Sequence, residues 1–506
     1  MKARLTNVGI LLIVGAIACA CAPRELICLK RGGDAWYELR SEHFILRTNL
    51  DRGEAKTRSR QLERMHDALA HVISLVLPYQ STPSDQIEVV HFSHPMQLEE
   101  FVGENTGGFM SRDQGGVFIA SSEGYTGKGR DHLLMHELTH RFLAAQVDRY
   151  PRWLTEGLAG FYETLVVADD KVTVGGLPGG YSQLWFGSSG SLPSLSELRE
   201  MDAETFYAVK RKRGNYFASW RLIHFLANSS PERYQRFRHY TESLVNGIPE
   251  AKAWELSFGG AGDLNGPVRK YRGTRTVGKR VVEYFAPDVP DPEIRKLSDG
   301  EVHVLWARMS RFRRHDRGAL GKKNSKRLSR EIEEAKKHDP DYADIAYWQV
   351  DLSDPDDRPP LREQLWAYVR SKKVSSRALL TLVQLEFDSM GSGGSKRNVL
   401  AALAPVVQRL ESVADNGHEL NIVAWYYAMA NKPKEGLEYA QRSVRRAPSC
   451  AGCLDTYALL LFQAGRPDLA LRVQERAVAL YGENGAIPKN VADRLRRYSE
   501  APLVIE

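Results

Sequence analysis

Residues Asp131–Thr164, DHLLMHELTHRFLAAQVDRYPRWLTEGLAGFYET, contain the motif that decides the fold of this chain. His136 and His140 are four residues apart in a helical pattern, so their imidazoles lie one turn apart on the same face. Two imidazole nitrogens placed in this way reach one zinc ion at about 2.0–2.1 Å. Glu137 is rotated by about 100° from His136 and therefore lies beside the metal, where a general base for water belongs.

A second helical pattern follows and brings a carboxylate to the same place. Glu156 comes 16 residues after His140, within the sequence WLTEGLA, and Pro151 suits the first turn of a new helix. A short helix–loop–helix would fold Glu156 back over the first helix as a third metal ligand. Glu163 lies seven residues further on, two turns along the same face. We therefore expect Glu163 to hydrogen-bond one of the ligands.

The pairing of HELTH with WLTEGLA resembles the gluzincin metallopeptidases, and most closely their peptidase MA-like branch. The resemblance extends over about Trp36–Tyr284. It implies an α+β, thermolysin-like catalytic domain in residues 29–287 that holds one zinc ion per chain. By resemblance the zinc ligands are His136, His140 and Glu156, and Glu137 is the catalytic base.

The resemblance also indicates where a peptide or protein substrate binds. In gluzincins an edge strand near the zinc helix pairs with the substrate backbone, and the segment 117–121 is our candidate. Its proposed contact residues are Val117, Phe118, Ile119 and Ala120. The aminopeptidase branch carries a G-x-M-E-N motif near this position. Residues 114–121 contain no such motif, which favours an endopeptidase.

Two aromatic residues in this half have alternative interpretations. Tyr216 corresponds by resemblance to the tyrosine that stabilises the oxyanion in aminopeptidase-like gluzincins. The alternative is a packing residue at the start of a buried helix, Asn215–Leu226. His132, one turn before His136, is an alternative metal ligand. We favour a surface histidine, because choosing His132 would leave His140 without a role.

The segments around the motif predict a mixed α and β domain. Ala35–Thr48 reads as two short strands, Glu54–Leu77 as an amphipathic helix, and Ile87–Phe92 as a strand. The Gly- and Ser-rich segment Gly175–Leu192 reads as a mobile loop, either a wall or lid of the cleft or a plain connection.

The N-terminus predicts export to a bacterial cell envelope. Lys2 and Arg4 precede the apolar run Val8–Ala18, so residues 1–20 are typical of a secretory signal. Cys19 or Cys21 would be the lipidated residue of a membrane anchor. Plain cleavage after Ala20 is the alternative.

With five cysteines in 506 residues, the composition excludes a fold built on disulfides and favours an ordinary multidomain protein. The chain has 506 residues, 42% hydrophobic and 26% charged, which suggests two to four domains. A net charge of +7 from 70 basic and 63 acidic residues argues only weakly for an anionic partner. The basic segment Arg308–Arg330 contains one aromatic and no nucleic-acid module. We therefore expect a solvated helix pair, with contact to an anionic envelope or lipid surface as the alternative, and no nucleic-acid partner.

The C-terminal part predicts an all-α helical-repeat domain, residues 293–485, after a linker at Asp288–Pro292. Small residues and prolines recur after 34 residues, which resembles the tetratricopeptide repeat. The recurring pairs are Ala424 and Ala458, Ala430 and Ala464, Pro433 and Pro467, Gly436 and Ala470, Ser443 and Ala477, and Val444 and Val478. The concave face of such a domain usually holds a protein partner. Cys450 and Cys453 are expected to form a disulfide, with two buried thiols as the alternative.

The sequence therefore predicts an exported zinc metallopeptidase whose repeats recruit a substrate or partner. The rival hypothesis is an envelope scaffold with an inactive peptidase-like domain.

Overall fold

The computed structural model describes residues 26–78, 86–104, 108–113, 116–124, 131–146, 150–186, 192–208, 210–260, 263–271, 277–311, 318–340, 345, 348–349, 358–370, 376–391, 395–448, 450–484 and 487–501. The signal segment 1–20, with the lipidation candidates Cys19 and Cys21, lies outside these residues. Within them, no helix is both long and apolar enough to cross a membrane.

A mixed six-stranded sheet forms the centre of the N-terminal part. Across the sheet its strands are β4 (Gly108–Asp113), β5 (Gly116–Ser122), β3 (Ile87–Phe92), β2 (Phe44–Thr48), β1 (Tyr37–Arg40) and β9 (Glu293–Lys296). β2, β3 and β5 are parallel to one another, and the remaining pairs are antiparallel. The two strands expected within 35–48 and the strand at 87–92 are confirmed.

Thirteen helices and a second small sheet complete this part of the described chain. The helices are α1 (Arg52–Ser74), α2 (Pro95–Val102), α3 (His132–Gln146), α4 (Arg152–Tyr162), α5 (Ser182–Phe186), α6 (Leu195–Glu200), α7 (Ala203–Tyr207), α8 (Lys212–Asn228), α9 (Pro231–Val245), α10 (Glu250–Phe258), α11 (Asn265–Lys270), α12 (Asp299–Arg311) and α13 (Ala319–His338). The small antiparallel sheet contains β6 (Val166–Val167), β7 (Lys171–Val174) and β8 (Arg280–Glu283).

Both faces of the large sheet are covered, because successive side chains along a strand point to opposite faces. Val89 and Ile119 belong to the core that includes residues of α1, α3 and α4. Their neighbours Val90 and Phe118 belong to a separate core with residues of α2 and α12. Every residue of β3 is consequently buried, including the polar Glu88 and His91.

The N-terminal domain does not end at the predicted boundary of residue 287. Strand β9 pairs with β1, so the expected start of the repeats belongs to the sheet. On α12, Trp306 packs edge-on against Trp36, with ring centroids 6.4 Å apart. On α13, Asn324 Nδ2 donates to the carbonyl oxygen of Phe101 at 2.8 Å. The Asp288–Pro292 segment is therefore a loop within the domain rather than a linker between domains.

Most described basic residues of the segment 308–330 are exposed, as expected, but Arg308 and Arg327 are not. Arg308 is buried and forms an ion pair with Glu88 on β3. Arg327 forms an ion pair with Glu100 on α2. These arginines fasten α12 and α13 to the sheet domain, so they are not available to an anionic surface.

The segment 175–192 is anchored rather than loose over its described part. Trp185, on the short helix α5, is buried, and its ring centroid lies 5.1 Å from that of Trp220 on α8. Tyr181 directly precedes this helix. Residues 187–191 of this segment lie outside the described chain.

The C-terminal part is helical throughout its described residues. Its helices are α14 (Arg358–Arg370), α15 (Ser376–Gly391), α16 (Lys396–Val413), α17 (Gly417–Met429), α18 (Pro433–Arg446), α19 (Ala451–Gln463), α20 (Pro467–Asn484) and α21 (Lys489–Ser499). The starts of α17 and α19, and of α18 and α20, are each 34 residues apart, which confirms the period. Position 436 on α18 requires glycine, because a Cβ there would lie 2.8 Å from Leu460 and from Tyr427.

The structure joins Cys450 to Cys453 by a disulfide, with an S–S distance of 2.06 Å. This is the favoured sequence prediction. Cys450 is also the N-cap residue of α19, and its sulfur accepts a hydrogen bond from the Cys453 backbone N–H.

Candidate metal centre

Helices α3 and α4 bring the motif residues together, and helix α8 fixes α4 in place. The close approach of α4 to α8 occurs at Gly157. A Cβ on this residue would lie 2.8 Å from the carbonyl oxygen of Ser219 and 2.6 Å from Ile223 Cγ1. Because Gly157 directly follows Glu156, the helix contact that only glycine permits also sets the position of the carboxylate.

His136, His140 and Glu156 form a group whose potential ligand atoms all lie within 4.8 Å of one another. Glu156 Oε2 is 3.4 Å from Nε2 of His136 and 3.4 Å from Nε2 of His140. Two ligand atoms on a tetrahedral zinc with bonds of about 2.0–2.1 Å are separated by about 3.3–3.4 Å. Two of the three separations therefore match those of a tetrahedral metal site.

The polar atoms around this group also fit a metal. Glu156 is buried, and the described neighbours of its Oε2 are the two imidazoles at 3.4 Å, which carry a positive charge only when protonated. A cation bound by all three side chains would replace those protons. The other oxygen, Oε1, accepts a hydrogen bond from the Tyr207 hydroxyl at 2.6 Å, so Oε2 is held toward the histidines.

Glu163 orients the first histidine. Its Oε2 lies 3.0 Å from His136 Nδ1. A carboxylate only accepts, so Nδ1 donates its proton to Glu163 and Nε2 is the nitrogen that faces the centre of the group. The structure thus gives Glu163 the contact that the sequence predicted for it.

The electrostatics of the metal-free group show that it attracts positive charge. Burial alone would lower the pKa of His136, but the carboxylates of Glu156 and Glu163 outweigh it and raise the pKa to about 10. Burial alone would raise the pKa of Glu156, but the two histidines hold it far below its usual range. A cation that binds here replaces the proton of His136.

Glu137 and Tyr216 lie beside the group rather than in it. Glu137 is half-buried on α3, one residue after the first histidine. The Tyr216 ring on α8 is nearly parallel to that of His136, with centroids 6.5 Å apart. Burial, followed by the charge of Glu156, holds the pKa of the Tyr216 phenol well above its usual range. The phenol therefore stays protonated and can donate a hydrogen bond. His132 is not part of the three-residue group.

The predicted substrate strand is not an edge strand. β5, which carries Val117, Phe118, Ile119 and Ala120, is paired on one side with β3 and on the other with β4. Of these residues, the last three have buried side chains. The edge of the sheet on this side is β4, whose Gly108 lies beside Leu133 at the start of the metal-bearing helix. Among the described strands, β9 is the other edge of this sheet.

Sequence reasoning missed Tyr207. This residue ends the five-residue helix α7, 51 positions after the glutamate to which it donates. No motif marks it. The one available signal is the pairing of two tyrosines, at positions 207 and 216, in a segment that follows the metal helices.

Comparisons with known proteins give little further information. A scan against protein-family models found no match, and a search of curated proteins found none either. Among solved structures, the chain is similar to one described as "Crystal structure of MamA protein", with 16% identity, coverage of 41% of this chain and 100% of that chain, and a TM-score of 0.24. A similarity at this level carries no argument about fold or function.

Proposed function

We propose that this chain is a zinc-dependent metallopeptidase, in which His136, His140 and Glu156 hold one zinc ion. The observation that carries the proposal is the position of Glu156 Oε2. This atom is buried and lies 3.4 Å from both histidine Nε2 atoms, which is the separation of two ligands on one zinc ion. A zinc ion would use all three groups at once, with the carboxylate and both imidazole nitrogens as ligands.

The remaining residues supply the proton transfers of peptide hydrolysis. When bound, zinc supplies the Lewis acidity that makes water a competent nucleophile near neutral pH. The Glu137 carboxylate accepts the proton of the attacking water and passes it to the leaving amine. The protonated phenol of Tyr216 donates to the oxyanion that develops on the substrate carbonyl.

The wider assignment follows the sequence. The N-terminal pattern of a charged and then apolar segment supports export to a bacterial envelope, with or without a lipid anchor at Cys19 or Cys21. The helical repeats offer a surface for a protein substrate or partner. The missing aminopeptidase motif supports cleavage within a chain.

The test compares the wild-type protein with Glu137→Gln. Both proteins are loaded with zinc, their metal content is measured by elemental analysis, and each is incubated with a broad peptide library read by mass spectrometry. We expect equal zinc content and cleavage by the wild type alone, because Glu137 transfers protons and does not bind the metal.

Two outcomes would contradict the proposal. A wild-type protein that takes up no zinc at the three ligands would show that the metal assignment is wrong. Equal inactivity of both zinc-loaded proteins across the library would favour the rival function, an envelope scaffold with an inactive peptidase-like domain.

A further inference from the structure

A second group of metal-binding side chains lies at the contact between the first described residues and helices α12 and α13. It contains Cys28, His303 and His338, whose potential ligand atoms all lie within 4.8 Å of one another. Cys28 precedes a 3-10 turn at Leu29–Arg31, His303 is in the second turn of α12, and His338 is the last residue of α13. Three distant parts of the sequence thus place one thiol and two imidazoles together.

His303 has the contacts of a metal ligand before any metal is considered. Its Nδ1 lies 2.6 Å from Glu331 Oε2, so this nitrogen donates its proton to the carboxylate. Its Nε2 is buried and has no hydrogen-bond partner among the described residues, on a side chain with 4% exposure. A carboxylate–histidine pair with a free, buried lone pair is the usual arrangement behind a bound metal.

The thiol is equally enclosed. Cys28 is 2% exposed and is the one free cysteine among the described residues. Its thiol hydrogen-bonds the carboxylate of Asp299, the first residue of α12.

The group needs one adjustment to close around an ion. The rings of His303 and His338 are nearly parallel, with an interplanar angle of 7° and centroids 5.3 Å apart. Both lone pairs can point to one ion only after one ring rotates about its Cβ–Cγ bond. His338 can do so, because it is half-buried at the end of its helix. Lys30 Nζ lies 3.4 Å from His338 Nδ1, and because an ammonium only donates, Nδ1 accepts and Nε2 carries the ring proton that a metal would replace.

We propose that Cys28, His303 and His338 bind a second zinc ion and that this ion has a structural role. Thiolate sulfur and imidazole nitrogen are typical ligands of structural zinc. The ion ties the start of the folded chain to α12 and α13. Two other contacts connect the same segments. The Lys30 backbone N–H donates to Asp299 on α12 at 3.1 Å, and Arg31 pairs with Glu334 on α13 at 2.7 Å.

Cobalt distinguishes this site from the first one. Full-length protein is stripped of metal, kept anaerobic without a reductant, and titrated with Co²⁺. A thiolate ligand gives an intense sulfur-to-cobalt charge-transfer band in the near ultraviolet, and the group His136, His140 and Glu156 contains no sulfur. We expect two equivalents of bound cobalt and a charge-transfer band that saturates with one of them.

The variants assign each equivalent to its site. Cys28→Ser should lose the band and one equivalent of cobalt, whereas a His136→Ala/His140→Ala protein should lose one equivalent and keep the band. His239→Gln is the matched control, because His239 hydrogen-bonds Ser257 at 3.0 Å and belongs to neither group. It should keep both equivalents. Circular dichroism verifies that each variant is folded.

The results separate the two metal proposals. A wild-type protein that binds cobalt without any charge-transfer band would overturn the second site, whatever happens at the first. The same holds if the band persists unchanged in folded Cys28→Ser. Absence of peptidase activity would bear on the proposed function alone, because the structural site takes no part in hydrolysis.

Discussion

Glu163 and Tyr207 are not among the three proposed zinc ligands, yet each hydrogen-bonds one of them. Glu163 accepts from Nδ1 of His136, and Tyr207 donates to Oε1 of Glu156. Each therefore orients the atom that would bind the proposed zinc ion. Groups in this position contribute to metal affinity through the orientation and basicity of the ligands.

Removing the Glu163 carboxylate should weaken zinc binding without abolishing it. Glu163→Ala frees His136 to rotate and to change tautomer, so we expect an affinity about 10–100-fold lower. Competition with a chelator of known affinity measures it. Glu255→Ala is the matched control, because Glu255 is 66% exposed and pairs with Lys252. An affinity for the Glu163 variant equal to that of this control would show that the contact does not orient the ligand.

The two tyrosines of the site should respond differently to loss of the hydroxyl group. Tyr207→Phe removes the donor to Glu156 and should lower zinc affinity. Tyr216→Phe should leave zinc affinity unchanged and lower kcat by about 10²–10³-fold, because a removed oxyanion donor acts in the transition state. Kinetics on a peptide cleaved by the wild type, together with chelator competition, separates the two effects. The reverse pattern would exchange the roles of the two residues.

At the scale of elements, the contact of α4 with α8 couples stability to the metal site. Gly157→Ala would place a Cβ 2.8 Å from the Ser219 carbonyl oxygen, so the helices must separate. We expect a loss of about 1–3 kcal/mol in the free energy of unfolding and weaker zinc binding. Gly160→Ala is the matched control on the same helix. Its Cβ would lie 3.6 Å from Trp220, an ordinary contact, and alanine favours a helix by about 1 kcal/mol. Equal effects of both substitutions would contradict this account.

Strand pairing at the other end of the sheet should depend on pH through Glu38. Burial would raise the pKa of this β1 carboxyl, but Arg47, Arg40 and Arg295 lower it from 4.5 to about 2. The folded protein thus prefers the ionised form, so this stabilisation is present above pH 4.5 and is lost as the pH falls toward 2.

Denaturant unfolding of wild type and Glu38→Gln at several pH values tests this dependence. The stability difference between them should shrink by up to about 3 kcal/mol between pH 5 and pH 2. Glu42→Gln is the control from the same hairpin, where the carboxylate is 83% exposed. A constant difference for Glu38→Gln would show that its ion pairs contribute no pH-dependent stability.

The sequence predicts the local parts of this structure better than the distant pairings. The relation of His136 to His140 follows from helix geometry alone, and Glu156 lies one short loop away. β9 was assigned to the wrong domain because it has four residues and pairs with β1, far away in the chain. β4 was overlooked because its sequence, GFMSRD, shows no apolar alternation, and without it β5 was taken for the edge. Pairing partners, unlike helix faces, are not encoded in spacing.

For the whole molecule, the structure moves the boundary between the domain that contains the proposed metal site and the helical repeats. β9 completes the large sheet, and α12 covers one of its faces through Trp306, Leu305 and Met309. Trp348 is fully buried against residues of α12 and α13. The folded unit that contains the metal centre thus continues to about residue 350, and α14 begins beyond it.

A protein of residues 26–357 should therefore fold, bind zinc and cleave a short unselective peptide at a rate close to that of the full chain. All groups assigned to the reaction lie within it. It should lose preference for a natural protein substrate if the repeats recruit that substrate.

A protein of residues 26–287 should fail to fold, because it exposes the β1 edge and the apolar face that α12 covers. Circular dichroism, elemental analysis and peptide cleavage are measured on both. If the shorter protein folds and cleaves as well as the longer one, β9 and α12 are not part of the catalytic unit. If the longer protein folds, binds zinc and is inactive while the full chain cleaves, the repeats complete the active site.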